Sequence, residues 1–159
     1  MIAADTSALI SVASIDLLDI FLSEFDVHTT DIVVEELEEY DDRHGEAAAT
    51  VLDNLDKIST HQVQGEFTSS RVDQGEGSCA LLTNQIDAEF LITDDLRALP
   101  ELQNLVGAKV AISPIVLKAL VKRDVLNHED ALEKLDQLAE TRDWLGAPIY
   151  RRAQNLFQE

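Results

Sequence analysis

Four acidic sites in this chain lie beside apolar segments, where a fold could bring their carboxylates together. They are Asp5, Glu36, Glu76 and the adjacent pair Asp94 and Asp95. Asp5 follows the apolar residues 1–4, and the pair follows the apolar run 88–93. Because ligands of open α/β sheets lie beyond the carboxyl ends of parallel strands, carboxylates at two such ends are expected to converge.

Clustered carboxylates indicate a divalent metal ion. Mg²⁺ and Mn²⁺ prefer oxygen ligands, and several carboxylates in one small pocket repel one another unless a cation is near. A bound ion can activate water for attack on phosphorus and neutralise the charge that develops on the phosphate. The pattern therefore predicts a divalent metal ion among these acids.

Two of these acids have alternative structural interpretations. Asp5 is followed by Thr6 and Ser7, either of which can cap the next helix. Glu36 lies in the run 33–39, which is mostly a solvated acidic helix face. Glu35 and Glu36 are about 100° apart on a helix, so at most one of them points squarely into a site, and we favour Glu36.

The other acids also have alternatives. Glu76 lies in the first turn of a predicted helix, where the helix dipole alone favours a carboxylate, but glycines at 75 and 77 allow close approach. Asp73 is a helix cap or an acid beside the ligands. Asp94 and Asp95 are metal ligands or turn formers, and which of them faces the metal is open. Arg97 is a phosphate contact or a partner of these acids, and the four histidines are structural or surface residues.

Strand-like and helical segments alternate, which predicts an α/β/α sandwich with a mostly parallel central sheet. Strands are predicted at 1–5, near 26–28, at 88–93 and at 109–113. Between them the pattern predicts helices after residue 5, at 15–25, from 32, at 46–58 and from about 75, and Thr30 with Asp31 as a cap. Pro114 opens another helix, and further helices are predicted at 128–144 and 149–157. Residues 40–45 are a charged break, and 59–77 are predicted to be a long loop.

Composition bounds the partners and the environment. The 159 residues are predicted to form one domain, 1–159, with 31 Asp and Glu against 12 Lys and Arg and a net charge of −19. Such a surface repels nucleic acid at low salt, but the Debye length is about 3 Å in molar salt, and the composition is typical of halophiles. Cys79 is predicted to be a buried apolar residue. We predict a cytoplasmic protein without membrane association.

These residues, in this order and spacing, resemble the PIN-domain family of metal-dependent ribonucleases. The resemblance runs from residues 4–9 through 34–37 and 75–76 to 91–95, and it continues to 148–150. It implies a Rossmann-like fold, an Mg²⁺ or Mn²⁺ cofactor and an RNA substrate. It also implies a toxin that forms homodimers and is neutralised by a small antitoxin protein. Residue by residue, it implies metal roles for Asp5, Glu76 and Asp94 or Asp95, and Glu36 as a further ligand or catalytic acid. Ser7 and Thr93 are implied as supporting hydroxyls. Glu76 stands where many relatives have Asp.

Two other functions compete with a ribonuclease. One is a PIN-like domain that is non-catalytic or acts in RNA processing and binds RNA or a protein partner. The other is a phosphatase of the haloacid-dehalogenase type, which also begins with an Asp at a strand end. That family needs a second Asp two residues later, where this chain has Ser7, so we set it aside.

Overall fold

The computed structural model describes residues 1–40 and 44–158, which form a parallel sheet flanked by helices. The five strands are β1 (Ile2–Ala4), β2 (Val27–Thr30), β3 (Ser59–His61), β4 (Phe90–Ile92) and β5 (Lys109–Ala111). The helices of the first half are α1 (Thr6–Ser14), α2 (Leu18–Glu24), α3 (Asp31–Glu38) and α4 (Gly45–Leu52), followed by a 3₁₀ turn (Leu55–Lys57). The helices of the second half are α5 (Gln74–Ile86), α6 (Leu99–Leu105), α7 (Pro114–Lys122), α8 (His128–Thr141) and α9 (Pro148–Leu156).

The sheet has the strand order β3-β2-β1-β4-β5, and all neighbouring pairs are parallel. The chain moves outward from β1 through β2 to β3 and then returns to place β4 on the other side of β1. The direction of winding therefore reverses between β1 and β4. In open α/β sheets this switch point is where ligands bind, beyond the carboxyl ends of the strands. The predicted α/β fold with a parallel sheet is confirmed.

The two central strands place the strand-end acids side by side. Ala4 of β1 is opposite Ile92 of β4, and the Asp5 N–H donates to the Ile92 carbonyl over 3.2 Å. All three residues of β1 are buried, as expected for a strand covered on both faces. Cys79 on α5 is fully buried in the same core, as predicted from its apolar neighbours.

Strand β3 and helix α6 depart from the predictions. The region 59–77 was predicted to be a loop, but Ser59–His61 pairs with β2 at the sheet edge. Its exposed, polar side chains carry no apolar alternation, so this strand is defined by backbone pairing and by contact of His61 with His28. The two imidazoles stack with centroids 5.1 Å apart and share a hydrogen bond of 2.9 Å. Helix α6 was not predicted.

The other predicted helices and strands are present, but their boundaries differ from the predictions by up to six residues. The helix predicted at 15–25 is shorter and spans Leu18–Glu24, and the one predicted at 46–58 ends at Leu52. Thr30 caps α3 and Pro114 opens α7, as predicted. Of the charged break predicted at 40–45, residues 41–43 lie outside the described residues.

Within the described ranges, no single helix has the length and apolarity needed to cross a membrane. Helices α1 and α2 reach those limits only when taken together, with a bend of 117° between them.

Candidate active site

Asp5 is buried at the junction of β1 and α1, where only 2% of its surface is exposed. The predicted caps Thr6 and Ser7 are wrong, because Asp5 itself caps α1. Its Oδ1 accepts hydrogen bonds from the Ala8 N–H (3.0 Å) and the Ser7 hydroxyl (2.8 Å). Ser7 Oγ also accepts from the Asp94 N–H over 3.0 Å, so this hydroxyl joins the ends of β1 and β4. The predicted supporting hydroxyl therefore contacts two of the candidate acids.

Glu36 turns from α3 toward Asp5, while Glu35 is exposed. The Thr6 hydroxyl donates to Glu36 Oε1 over 2.7 Å, which connects α3 to the first turn of α1. The angular separation of adjacent helical residues explains why only one of the two glutamates reaches this point. Of the two alternatives in the sequence, the structure places Glu36 in the pocket.

Glu76 enters the same region from the first turn of α5, with 6% of its surface exposed. It forms a capping box with Asp73: the Asp73 N–H donates to Glu76 Oε1 (3.0 Å), and the Glu76 N–H donates to Asp73 Oδ1 (2.8 Å). Glu76 therefore does take part in a capping box, as considered from the sequence, but the box uses only its Oε1 and not its Oε2. The Glu76 carboxyl also lies beside the Asp95 side chain, and the two can share a hydrogen bond when one of them carries a proton.

Asp94 and Asp95 have different environments. Asp94 accepts from the Ser11 hydroxyl at Oδ2 (2.5 Å) and from the Ser113 N–H at Oδ1 (2.6 Å). Both of its oxygens are therefore engaged by protein donors from α1 and the end of β5. Asp95 Oδ1 accepts from the Arg97 N–H (2.9 Å), and the Asp95 side chain reaches Glu76.

Thr93 and Arg97 flank this acidic pair. Thr93 is fully buried, and its hydroxyl bonds with Asp5 and accepts from the Asp95 N–H over 3.3 Å. Arg97 contacts Asp95 through its backbone, and its side chain is exposed without an ion pair to any acid in the described ranges. The structure therefore brings Thr93 to the acids but does not place the Arg97 guanidinium on them.

Burial raises the pKa values of the acids in this cluster, because their hydrogen bonds do not fully offset the loss of hydration. Burial raises the pKa of Asp5 to about 7, against the hydrogen bonds from Thr93, Ala8 and Ser7 that lower it. Burial and the Asp95 hydrogen bond raise the pKa of Glu76 to about 9. Burial also raises the pKa values of Glu36 and Asp94, although Thr6 and Ser11 oppose these shifts. The acids therefore favour either protons or a nearby cation.

A small pocket of about 110 Å³ opens between β1, α3 and α5. Its lining consists of residues whose side chains all offer oxygen atoms: Asp5, Thr6, Ser7, Glu36, Tyr40, Asp73 and Glu76. Asp73, predicted to be a helix cap or an acid beside the ligands, both caps α5 and lines the pocket. Tyr40 is an addition to the predicted set, and the sequence carried no signal for it.

Gly75 and Gly77 are required by the close approach of other groups. A Cβ at Gly75 would lie against the Glu36 carboxylate, 2.7 Å from its Cδ and 3.0 Å from Oε2. A Cβ at Gly77 would meet the Phe67 backbone, 2.8 Å from its carbonyl carbon. Gly75 and Gly77 thus allow Glu36 and the loop residue Phe67 to pack closely against α5.

We expect Gly77→Ala to lower the free energy of unfolding by about 1–3 kcal/mol, because the Phe67 backbone cannot move aside as easily as a side chain. Gly75→Ala should cost less, since the Glu36 carboxylate is the end of a flexible side chain, but it should displace Glu36 from the pocket. Urea unfolding measures both. Gly107→Ala is the matched control, because nothing lies within 4 Å of its added Cβ. Equal costs at Gly77 and Gly107 would contradict this packing.

The whole chain matches one known domain family. A family model (DUF3368) described as a PIN domain matches residues 1–159. The chain belongs to the PIN-domain family. No curated protein and no solved structure matches the chain. PIN domains usually bind divalent metals.

The donor chemistry of the pocket suits Mg²⁺ or Mn²⁺. Its buried carboxylates offer oxygen ligands, and mutual repulsion between Asp5 and Glu76 adds to the effect of burial on the Glu76 pKa. As placed, however, no three Asp, Glu, His or Cys side chains within residues 1–40 and 44–158 are grouped closely enough to hold an ion. Glu76 is engaged in its capping box, and both oxygens of Asp94 accept hydrogen bonds from protein donors. An ion would therefore have to compete with hydrogen bonds at Glu76.

Proposed function

We propose that this PIN domain is a metal-dependent endoribonuclease that hydrolyses phosphodiester bonds in RNA. The observation that carries the proposal is the buried pair Asp5 and Glu76 at the switch point of the sheet, with pKa values raised to about 7 and about 9. Isolated buried carboxylates destabilise a fold, so their presence in a pocket supports a functional role.

Asp5, Glu76 and Asp95 are the residues that would hold Mg²⁺ or Mn²⁺, with Glu36 as a further acid. When bound, the ion supplies charge stabilisation at the phosphate and a more acidic water. The hydroxyls of Ser7 and Thr93 orient the Asp5 carboxylate by donating to it. Thr6 holds Glu36 toward the pocket in the same way. Hydrolysis adds the elements of water across one P–O bond of the RNA backbone.

Purified protein with Mn²⁺ in molar KCl should cut single-stranded RNA, and EDTA should stop the reaction. Labelled RNA separated on a denaturing gel measures this directly. We expect the cuts to lie within the strand, as for an endonuclease. Release of single nucleotides from a labelled end would instead indicate an exonuclease. Absence of both Mn²⁺ binding and cutting would instead favour the non-catalytic alternative.

Metal binding should release protons. Since Asp5 and Glu76 have raised pKa values, part of this pair is protonated near neutral pH, and an ion must displace those protons. Mn²⁺ affinity should therefore rise from about pH 6 to about pH 8, by up to about tenfold per pH unit for each proton released. Calorimetry in buffers with different ionisation enthalpies counts the protons. An affinity independent of pH over this range would contradict a pocket whose acids are partly protonated before the metal binds.

The toxin role, the small antitoxin and the homodimer are further proposals that rest on the family resemblance. A toxin should arrest growth when it is expressed, and co-expression of a small protein encoded beside it should relieve the arrest. The variant Asp5→Asn separates arrest by RNA cleavage from arrest by mere overproduction, because only the first needs the acid.

A further inference from the structure

A second groove, of about 600 Å³, runs along the edge strand β5 between that strand and helices α7 and α9. Aliphatic side chains form much of its lining, including Val110 and Ile112 from the β5 segment, Ile115 from α7 and Leu156 from α9. The α7 residues of the lining recur every three or four positions, so one face of that helix borders the groove along its length. They are Ile115, Lys118, Ala119 and Lys122. This groove is separate in its lining residues from the acidic pocket.

The charges around this groove are opposite to those of the chain as a whole. Four cations line it, Lys109, Lys118, Lys122 and Arg152, and no acidic residue is among its described lining. The chain has only 12 Lys and Arg against 31 Asp and Glu, so a third of its cations lie here. Lys109, Lys122 and Arg152 are exposed and form no ion pair with acids of the described ranges.

The backbone of β5 adds a second feature. On its inner side the Lys109 N–H donates to the Glu89 carbonyl, and the Ala111 carbonyl accepts from the Thr93 N–H, each over 3.0 Å. Alternate residues of a parallel strand direct their backbone groups to opposite sides, so those of Val110 point away from β4. A strand edge of this kind can pair with an added extended chain.

We propose that this groove binds an acidic, extended segment of a partner protein, which adds to β5 as a further strand. Carboxylates of the segment would pair with Lys109, Lys122 and Arg152, and its alternate apolar side chains would pack on the aliphatic lining. Single-stranded RNA fits the groove less well, because stacking of bases uses aromatic surfaces and Phe90 is the one aromatic residue among the described residues of the lining. A symmetric contact with a second copy would bring these cations against their own equivalents.

Peptide display tests this proposal with a random library in place of the partner. Selection of that library on the full chain should enrich peptides in which acidic and aliphatic residues alternate. Charge reversal by Lys109→Glu with Lys122→Glu should weaken an enriched peptide by at least about tenfold, since like charges then face each other. Lys57→Glu with Arg71→Glu is the matched control, because it makes the same change in net charge at exposed positions elsewhere. Methylation of alternate backbone nitrogens of the peptide should also abolish binding.

Several results would overturn the proposal. They are failure to enrich acidic peptides, equal binding by the groove variant and the wild type, and tolerance of methylation at every backbone nitrogen. Fluorescence anisotropy with an oligouridylate in EDTA examines the RNA alternative, and RNA binding lost only in the groove variant would assign the groove to nucleic acid. Light scattering examines the second copy, and a wild-type dimer that becomes a monomer in the groove variant would assign the groove to self-association.

Discussion

Asp5→Asn should raise the melting temperature of the metal-free protein by roughly 5 °C at about pH 8, and it should weaken Mn²⁺ binding at least about a hundredfold. Asparagine keeps the oxygen that accepts from Ala8 and Ser7, so the cap of α1 survives. What the substitution removes is a buried negative charge. The same change should therefore stabilise the fold and abolish the proposed metal binding. Thermal unfolding in EDTA and calorimetry with Mn²⁺ measure the two effects.

The pH dependence of that stability gain follows from the sign of the Asp5 shift. Burial raises its pKa in the folded state from 3.8 to about 7. The protonated carboxyl thus contributes stability that is fully present below about pH 4 and is lost as the pH rises through about 7. Asparagine has no such loss, so the advantage of the variant should grow across this interval and level off above it. A variant that is less stable than wild type at about pH 8, or that binds Mn²⁺ equally well, would contradict a buried ligand role.

The second large effect separates the two adjacent aspartates. We expect Asp95→Asn to lose most Mn²⁺ binding and RNA cleavage, while Asp94→Asn keeps both to within about tenfold. Asp94 engages its two oxygens with Ser11 and the Ser113 N–H, and an asparagine can serve the same two partners because a serine hydroxyl both donates and accepts. We infer that Asp94 is a positioning residue that ties the end of β4 to α1 and to the end of β5. Asp95 is then free to face Glu76.

Replacing Asp94 by alanine removes both hydrogen-bond acceptors, which the asparagine variant does not. Asp94→Ala should lower the free energy of unfolding by about 2–5 kcal/mol, because two donors in a buried region lose their acceptor. Rescue by asparagine but not by alanine is the signature of a hydrogen-bonding role. If Asp94→Asn lost metal binding as completely as Asp95→Asn, both acids would have to be ligands and the division of roles would be wrong.

The sequence predicted the sheet and the strand-end acids because both depend on local patterns. Apolar runs mark β1 and β4, and an acid immediately after each run must lie at the same edge of a parallel sheet. Strand β3 could not be found in this way, since Ser59–His61 is polar and gains its place from pairing with β2. Helix α6 repeats leucine at 99, 102 and 105, but its seven residues span only about two turns, which is too short a pattern to predict a helix.

The division between Asp94 and Asp95 could not be predicted because it depends on side chains distant in sequence. Ser11 lies one turn after Ser7 on α1, and Ser113 closes the segment after β5, yet neither position carries a signal until the strands are assembled. Similarly, Thr6 and Ser7 are good caps by residue type. The Asp5 carboxylate is better placed for that task, which leaves their hydroxyls for Glu36 and Asp94.

The most direct test of a metal-dependent ribonuclease at the β1–β4 switch point is RNA cleavage by wild type and Asp5→Asn, assayed side by side with Mn²⁺ and with EDTA. We predict internal cleavage of single-stranded RNA by the wild type with Mn²⁺ alone. We expect a loss of roughly a thousandfold or more in the variant, which corresponds to several kcal/mol of charge stabilisation at the phosphate. Cleavage that persists in EDTA, or that the Asp5→Asn variant performs as fast as wild type, would contradict the assignment of this pocket.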